Sequence, residues 1–165
     1  VETARGIAEA PAIAGAAPKR PYRLCFGAGD FTTDIGAEWT RDEEESRVAR
    51  GLVIIASRAA GLPQPIDSVF ADIGDAAGLA QSAAAARRLG FGGKFVIHPS
   101  QVAAVTQAFT PSAQQLAWAR TVLTRVDEAE QAGAGAFVID GMMIDTPIVA
   151  QARRILAAVA AGEDG

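Results

Sequence analysis

One cysteine, Cys25, and one histidine, His98, are all that this chain of 165 residues carries of either type. A single cysteine excludes an internal disulfide, and a single histidine excludes a two-histidine metal motif within the chain. A reducing compartment is therefore the default, and the cytoplasm is the expected location. No apolar run approaches the roughly 20 residues that a membrane span needs, and the first residues form neither a basic leader nor an apolar signal core. Lys and Arg number 15 against 19 Asp and Glu, for a net charge of -4 without a basic cluster. That balance argues against a nucleic-acid surface and for small-molecule chemistry. Gly-x-Gly-x-x-Gly, Walker and Gly-x-Ser-x-Gly motifs are also missing, so dinucleotide, NTPase and serine-hydrolase readings have no support.

What remains is half apolar, enough for a real core, and it alternates between strand and helix patterns. A small-residue helix is predicted through Ala8 to Ala14, and Pro18 and Pro21 break it, with Lys19 and Arg20 in an exposed loop. Tyr22 to Phe26 reads as a short buried strand and Gly27 to Gly36 as the turn after it. Thr40 and Glu43 form a capping-box pattern. Val48, Leu52, Ile55 and Ala59 then follow at helical spacing until Gly61 and Pro63. The acidic stretch Asp42 to Glu45 is explained by the helix dipole. Ile66 to Ala71 is the next strand, Asp75 to Leu89 an alanine-rich helix, and Lys94 to His98 the strand after that. Such a rhythm implies a parallel α/β sheet. A helix over Ser112 to Gln131 presents Leu116, Leu123 and Val126 on one face. Ala134 to Ile144 reads as a hairpin folded about Asp140-Gly141, and Thr146 to Ala161 as a helix with Pro147 at its first position. The tail from Gly162 onward reads as disordered.

Three acids stand in short motifs of their own: Glu2 in Val1-Glu2-Thr3-Ala4-Arg5-Gly6, Asp30 in Gly27-Ala28-Gly29-Asp30-Phe31-Thr32-Thr33-Asp34-Ile35-Gly36, and Asp145 in Asp140-Gly141-Met142-Met143-Ile144-Asp145-Thr146-Pro147. The first two sit where barrel enzymes present side chains, at strand ends. Two carboxylates with few other ligands suit magnesium, or manganese in its place, because the ion keeps waters and accepts substrate oxygens. Gly27, Ala28 and Gly29 allow a ligand close to the backbone.

With Asp67-Ser68-Val69-Phe70-Ala71-Asp72, Gly90-Phe91-Gly92-Gly93-Lys94 and Ile97-His98-Pro99-Ser100-Gln101 in order, the chain from Val1 to about Ile155 resembles the C-terminal part of the citrate lyase beta subunit-like branch of the HpcH/HpaI aldolase superfamily. The resemblance implies the second half of a TIM (β/α)8 barrel, about strands five to eight, over residues 1–110. A helical extension with a hairpin would follow over 111–165. The opening on Val-Glu-Thr, inside a strand end and without a starter methionine, matches a chain whose first half-barrel is missing. Such a half would leave two open sheet edges and would not fold well alone.

Glu2 and Asp30 would hold magnesium, which chelates a 2-oxo acid. Asp145 would reach a neighbouring subunit's site in a trimer or hexamer and exchange a proton with the acetyl-CoA methyl group. The implied activity is magnesium-dependent cleavage or formation of a 3-hydroxyacyl-CoA such as malyl-, citramalyl- or citryl-CoA, with coenzyme A as part of the substrate. Its rivals are a CoA-independent 4-hydroxy-2-oxo acid aldolase and a non-catalytic subunit. Many relatives carry Glu where this chain has Gly29, a departure that bears on the subfamily. Bland readings stand beside these. Glu2 and Asp145 each fit a helix N-terminus, and Asp34 and Asp140 fit turns. His98, with Pro99, is either a coenzyme A contact or a hydrogen-bonded structural residue, and Asp72 divides in the same way. Lys94 is expected to be remote from the chemistry. Met142, Met143, Ile144, Ile148, Ile155 and Leu156 are expected to leave an apolar surface for a neighbouring subunit.

Overall fold

The computed structural model describes residues 1–16, 22–131, 137–139 and 142–163. The loop residues Pro18, Lys19, Arg20 and Pro21, the Asp140-Gly141 turn and the end of the tail lie outside them. The chain divides into two compact units, Val1–Phe109 and Thr110–Gly165. No helix among the described residues is long and apolar enough to cross a membrane.

The first unit is built on four short extended segments running side by side in chain order. The Val1 nitrogen donates to the Cys25 carbonyl at 2.6 Å and Gly27 N–H to the Val1 carbonyl at 3.1 Å. Ile66 N–H reaches Leu24, and Phe26 N–H reaches Ile66, both at 2.9 Å, so Cys25 and Ile66 form a parallel bridge. β1 (Ile66–Asp67) pairs in parallel with β2 (Gly93–Lys94). The ladders are shorter than the apolar runs predicted. Helical segments follow each: α1 (Ala4–Ala8) and α2 (Ala10–Ala14) after Val1, α3 (Ala28–Ile35) and α4 (Arg47–Ala59) after Phe26, α5 (Ala76–Leu89) after β1, and α6 (Val102–Phe109) after β2. Leu24, Phe26, Phe31, Val53, Ala86 and Phe91 lie in the core between strands and helices, with the Phe26 and Phe31 rings 5.5 Å apart.

Several expectations are corrected here. The first helix is two short ones, because Pro11 in the first turn of α2 has no N–H to continue α1 and clashes with its carbonyls. The predicted turn from Gly27 is α3, closed by Gly36 in the left-handed conformation at φ 68°, which glycine adopts freely. The capping box does not form. Glu43 is itself left-handed at φ 56°, and a short 3-10 turn, Glu44–Ser46, precedes α4. In α4 the buried face is Ala49, Arg50, Val53, Ala56 and Ser57, whereas Val48 and Ile55 are 75% and 65% exposed. Both stripes have helical period, and the one with small residues and the arginine packs inward. α6 was not anticipated.

The second unit packs α7 (Ala113–Gln131) against α8 (Thr146–Glu163) and an antiparallel hairpin, β3 (Phe137–Ile139) and β4 (Met142–Ile144), in the register Ile139 opposite Met142. Here the expected apolar surface is largely absent. Ile144 is 4% exposed, and Ile148, Ile155 and Leu156 pack on Ala119, Val122 and Val126. The small residues on α7 let α8 come close, so the unit buries Ile144 and half-buries Ile148, Ile155 and Leu156. Met143, at 67%, stays open.

Candidate functional site

Parallel strands collect side chains at their C-terminal ends, and in the first unit those ends meet in an open cleft of about 340 Å³. Val1 and Glu2 line it from the first segment, Cys25 to Asp30 from the second, Ser68 and Val69 just after β1, and Phe95 just after β2, with Trp39 closing a wall. The two acids singled out for a metal are thus brought to one cleft, together with Gly27, Ala28 and Gly29. Both acids are exposed to solvent.

Glu2 is not the helix cap. Thr3 caps α1, its hydroxyl accepting from Gly6 N–H at 3.0 Å, and this leaves Glu2 directed elsewhere. Its carboxylate lies over Gly27, where a Cβ would stand 2.7 Å from Oε2 and 2.8 Å from the Glu2 Cβ. Only glycine leaves room for that approach. Asp30 is in the first turn of α3. Two bonds fix this helix in place: the Ser68 hydroxyl accepts from Ala28 N–H at 2.8 Å, buried, and Asp34 Oδ2 accepts from Ala4 N–H at 2.7 Å. Asp34, read as a local turn residue, therefore ties α3 to the start of α1, next to Glu2. Asp30 and Glu2 both stand at a helix N-terminus, whose partial positive charge offsets some of their mutual repulsion.

The donor set fits magnesium on two grounds. Two carboxylates supply hard oxygens to an open cleft, and Gly27 gives the space in which Glu2 can sit over α3; magnesium needs only one or two carboxylates beside waters and substrate oxygens. No group of three or more Asp, Glu, His or Cys residues gathers among the described residues, so a site built wholly from protein ligands, as a structural zinc would require, does not arise there.

The remaining candidates fall elsewhere. His98 caps the short turn Pro99–Gln101, its Nδ1 accepting from Ser100 N–H at 3.2 Å; neither His98 nor Pro99 lines the cleft. Asp72 accepts from Gly74 N–H at 2.8 Å, a local turn. Asp145 is exposed in the second unit, and its Oδ1 accepts from Ile148 N–H at 3.3 Å, capping α8. Lys94 is buried rather than idle. It bonds Asp67 at 2.8 Å and Glu43 at 3.3 Å, while Arg50 bonds Asp67 at 3.0 and 2.7 Å and Glu43 at 3.0 Å. Ser82 also donates to Glu43. Two cations and two anions thus lock β1, β2, α4 and the Glu43 turn beneath the cleft-lining residues Ser68 and Phe95. Sequence reasoning assigned Glu43 to a helix dipole; a charged residue within each short strand, Asp67 and Lys94, was the available sign.

Residues 1–99 match the family model described as HpcH/HpaI aldolase/citrate lyase. A mitochondrial citramalyl-CoA lyase from Mus musculus is 38% identical over 163 residues, covering 94% of this chain and 48% of that protein. A citrate lyase subunit beta from Leuconostoc mesenteroides subsp. cremoris is 33% identical over 94% of the chain and 51% of its own length. Among solved structures, the protein CitE from Mycobacterium tuberculosis, in complex with magnesium, acetoacetate and coenzyme A, superposes with a TM-score of 0.80 at 34% identity, covering 97% of this chain and 59% of that one. The chain spans about half the length of the curated relatives it matches.

Proposed function

The chain belongs to the HpcH/HpaI aldolase/citrate lyase family, and on that premise we propose that it forms the metal-holding half of a magnesium-dependent carbon-carbon lyase acting on a 3-hydroxyacyl-CoA. The observation that carries this reading is the meeting of Glu2 and Asp30 in one cleft at the ends of parallel segments, with Gly27 shaped around the Glu2 carboxylate. The four segments supply the second half of a (β/α)8 barrel. Val1 on one side and β2, followed by the exposed Phe95, Val96 and Ile97, on the other are the edges that a first half would close.

In the cleavage direction the substrate's C2–C3 bond breaks. The 3-hydroxyl gives up its proton and becomes the carbonyl of a 2-oxo acid, and C2 takes a proton to leave an acyl-CoA. A magnesium ion held by Glu2 and Asp30 would supply positive charge for the developing oxygen anion. Glu2 and Asp30 would present that ion to the acid end of the substrate, and Ser68, through Ala28, keeps α3 and hence Asp30 in place. Asp145 is the proposed acid that protonates C2 in cleavage and removes the same proton in condensation. It is exposed at the start of α8, and it would act in a neighbouring subunit of a trimer or a multiple of one. His98 and Pro99 are proposed to touch coenzyme A.

Magnesium titration of the full-length protein tests this. Glu2→Ala and Asp30→Ala should each abolish magnesium binding and most turnover of malyl- or citramalyl-CoA without unfolding the protein. Unchanged magnesium affinity in both variants would remove the basis of the proposal.

A further inference from the structure

The benzo edge of Trp39 lies where few residues would let it. A Cβ on Gly29 would stand 3.0 Å from Cζ3, closer than an ordinary side-chain contact, and 3.6 Å from Cε3 and Cη2. Two glycines set this up. Gly29 removes the side chain that would push the ring away. Gly36, left-handed at the end of α3, turns the chain back, with Ala37 N–H bonded to the Thr32 carbonyl at 2.9 Å. The indole is half-buried and packs against the core cluster on one side. Its other side lines the cleft that Glu2 and Asp30 share. Since Asp30 follows Gly29 directly, about 3.8 Å along the backbone, the ring stands beside one of the two proposed metal ligands. It is a rigid apolar wall, whereas the acids are the polar floor.

We propose that Trp39 sets the size of the group carried on the carbonyl carbon of the 2-oxo acid, admitting a methyl and excluding longer alkyl chains. This rests on the reading of Glu2 and Asp30 as the place where the acid end of that molecule is held. A 2-oxo acid anchored there directs its remaining substituent toward the cleft walls. On the α3 side that wall is the indole, backed by the core. An apolar pocket of fixed size rejects each surplus methylene by about 10- to 200-fold.

The test is calorimetric binding of pyruvate, 2-oxobutyrate and 2-oxopentanoate to the full-length protein with magnesium, in the wild type and in Trp39→Ala, Trp39→Phe and Gly29→Ala. The wild type should favour pyruvate over 2-oxobutyrate by at least about 10-fold and over 2-oxopentanoate, with two surplus methylenes, by about 100-fold or more. Trp39→Ala should compress that ratio to about 3-fold or less, with magnesium affinity in the absence of 2-oxo acid unchanged, and Trp39→Phe should restore part of the ratio. Gly29→Ala leaves the indole packed on the core while moving its edge, so it reports even where Trp39→Ala does not fold; it too must change the ratio. An unchanged ratio in the folded variants, or a wild type that binds all three acids alike, overturns the role of Trp39 alone. A wild type that binds none of them in the presence of magnesium overturns the reading of the site and this inference with it.

Discussion

Replacing Lys94 with Met should be among the most damaging single changes in the first unit, although Lys94 does not line the cleft. Its side chain is 0% exposed, and its ammonium is shared between Asp67 and Glu43, which are themselves 1% and 6% exposed. Methionine keeps the apolar stem and removes the charge, so the buried group passes from two cations and two anions to one cation facing two anions. Asp67 retains its two bonds from Arg50, and the uncompensated charge therefore falls mainly on Glu43. Glu43 also holds a left-handed backbone at φ 56°, a conformation that costs about 1–2 kcal/mol in a non-glycine residue and persists because its side chain is held. Removing one partner of a buried pair typically costs about 3–5 kcal/mol, a large part of the roughly 5–15 kcal/mol that keeps a domain folded. Denaturant unfolding of the full-length protein, followed by circular dichroism, should report a loss of that size. Lys94→Met with Glu43→Gln, which returns the group to one cation and one anion, should recover about half of it. A Lys94→Met protein within about 1 kcal/mol of the wild type would refute the claim that this network holds the strands together.

Gly27→Ala places a Cβ on the Glu2 carboxylate and should weaken magnesium binding by about 10- to 100-fold, as displaced supports of metal ligands do; titration of the folded variant checks it. Ser68→Ala strands the buried Ala28 N–H and should cost about 1–3 kcal/mol, while Gly78→Ala, whose Cβ would run into Asp75 Oδ2 and stand 2.8 Å from the Phe70 ring, should destabilise rather than gain from its better helix propensity. Asp75 accepts from Arg41 at 2.5 Å and caps α5 through Gly78 N–H, and these bonds, Arg41 first, hold its carboxyl below the usual range. A lowered folded value means that its contribution is complete above the ordinary carboxylate pKa and fades as pH falls through the lowered one. Stability differences between wild type and Asp75→Asn should accordingly be constant at neutral pH and shrink below roughly pH 4. Mixed oligomers of Asp145→Asn and Glu2→Ala should regain some activity if Asp145 serves a neighbouring subunit, and none if each subunit works alone.

The parts of the fold visible in the sequence are those with local causes. Asp75 opening an alanine-rich helix, Gly61 ending α4 and the strand pair around Asp140-Gly141 each follow from capping, backbone freedom or alternation. Glu2, Asp30 and Gly27 could be singled out because they stand at strand ends in motifs that also carry the family resemblance, and the cleft gathers all three. What could not be read depends on contacts distant in the chain. Val48, Leu52 and Ile55 have the period of a buried face, yet Arg50 and its small neighbours take that place, because Asp67 and Lys94 wait beneath them. Asp34 reads as a turn residue until α1 is placed above it, and the sequence gives no sign of Trp39, whose place beside the cleft depends on Gly29 under its ring. Ile144 suggested an open surface because the buried residues of α7 that it meets are alanine and valine, which carry little signal of their own.

The central claim is that Glu2 and Asp30 hold one ion, and a crystal structure of the full-length protein soaked with manganese and pyruvate tests it most directly. Anomalous signal at the metal edge should place a single ion about 2.1 Å from a carboxylate oxygen of each residue, with pyruvate on its open side and Trp39 beside the methyl. An ion bound away from either carboxylate, or carboxylates too far apart to share one, would contradict the account.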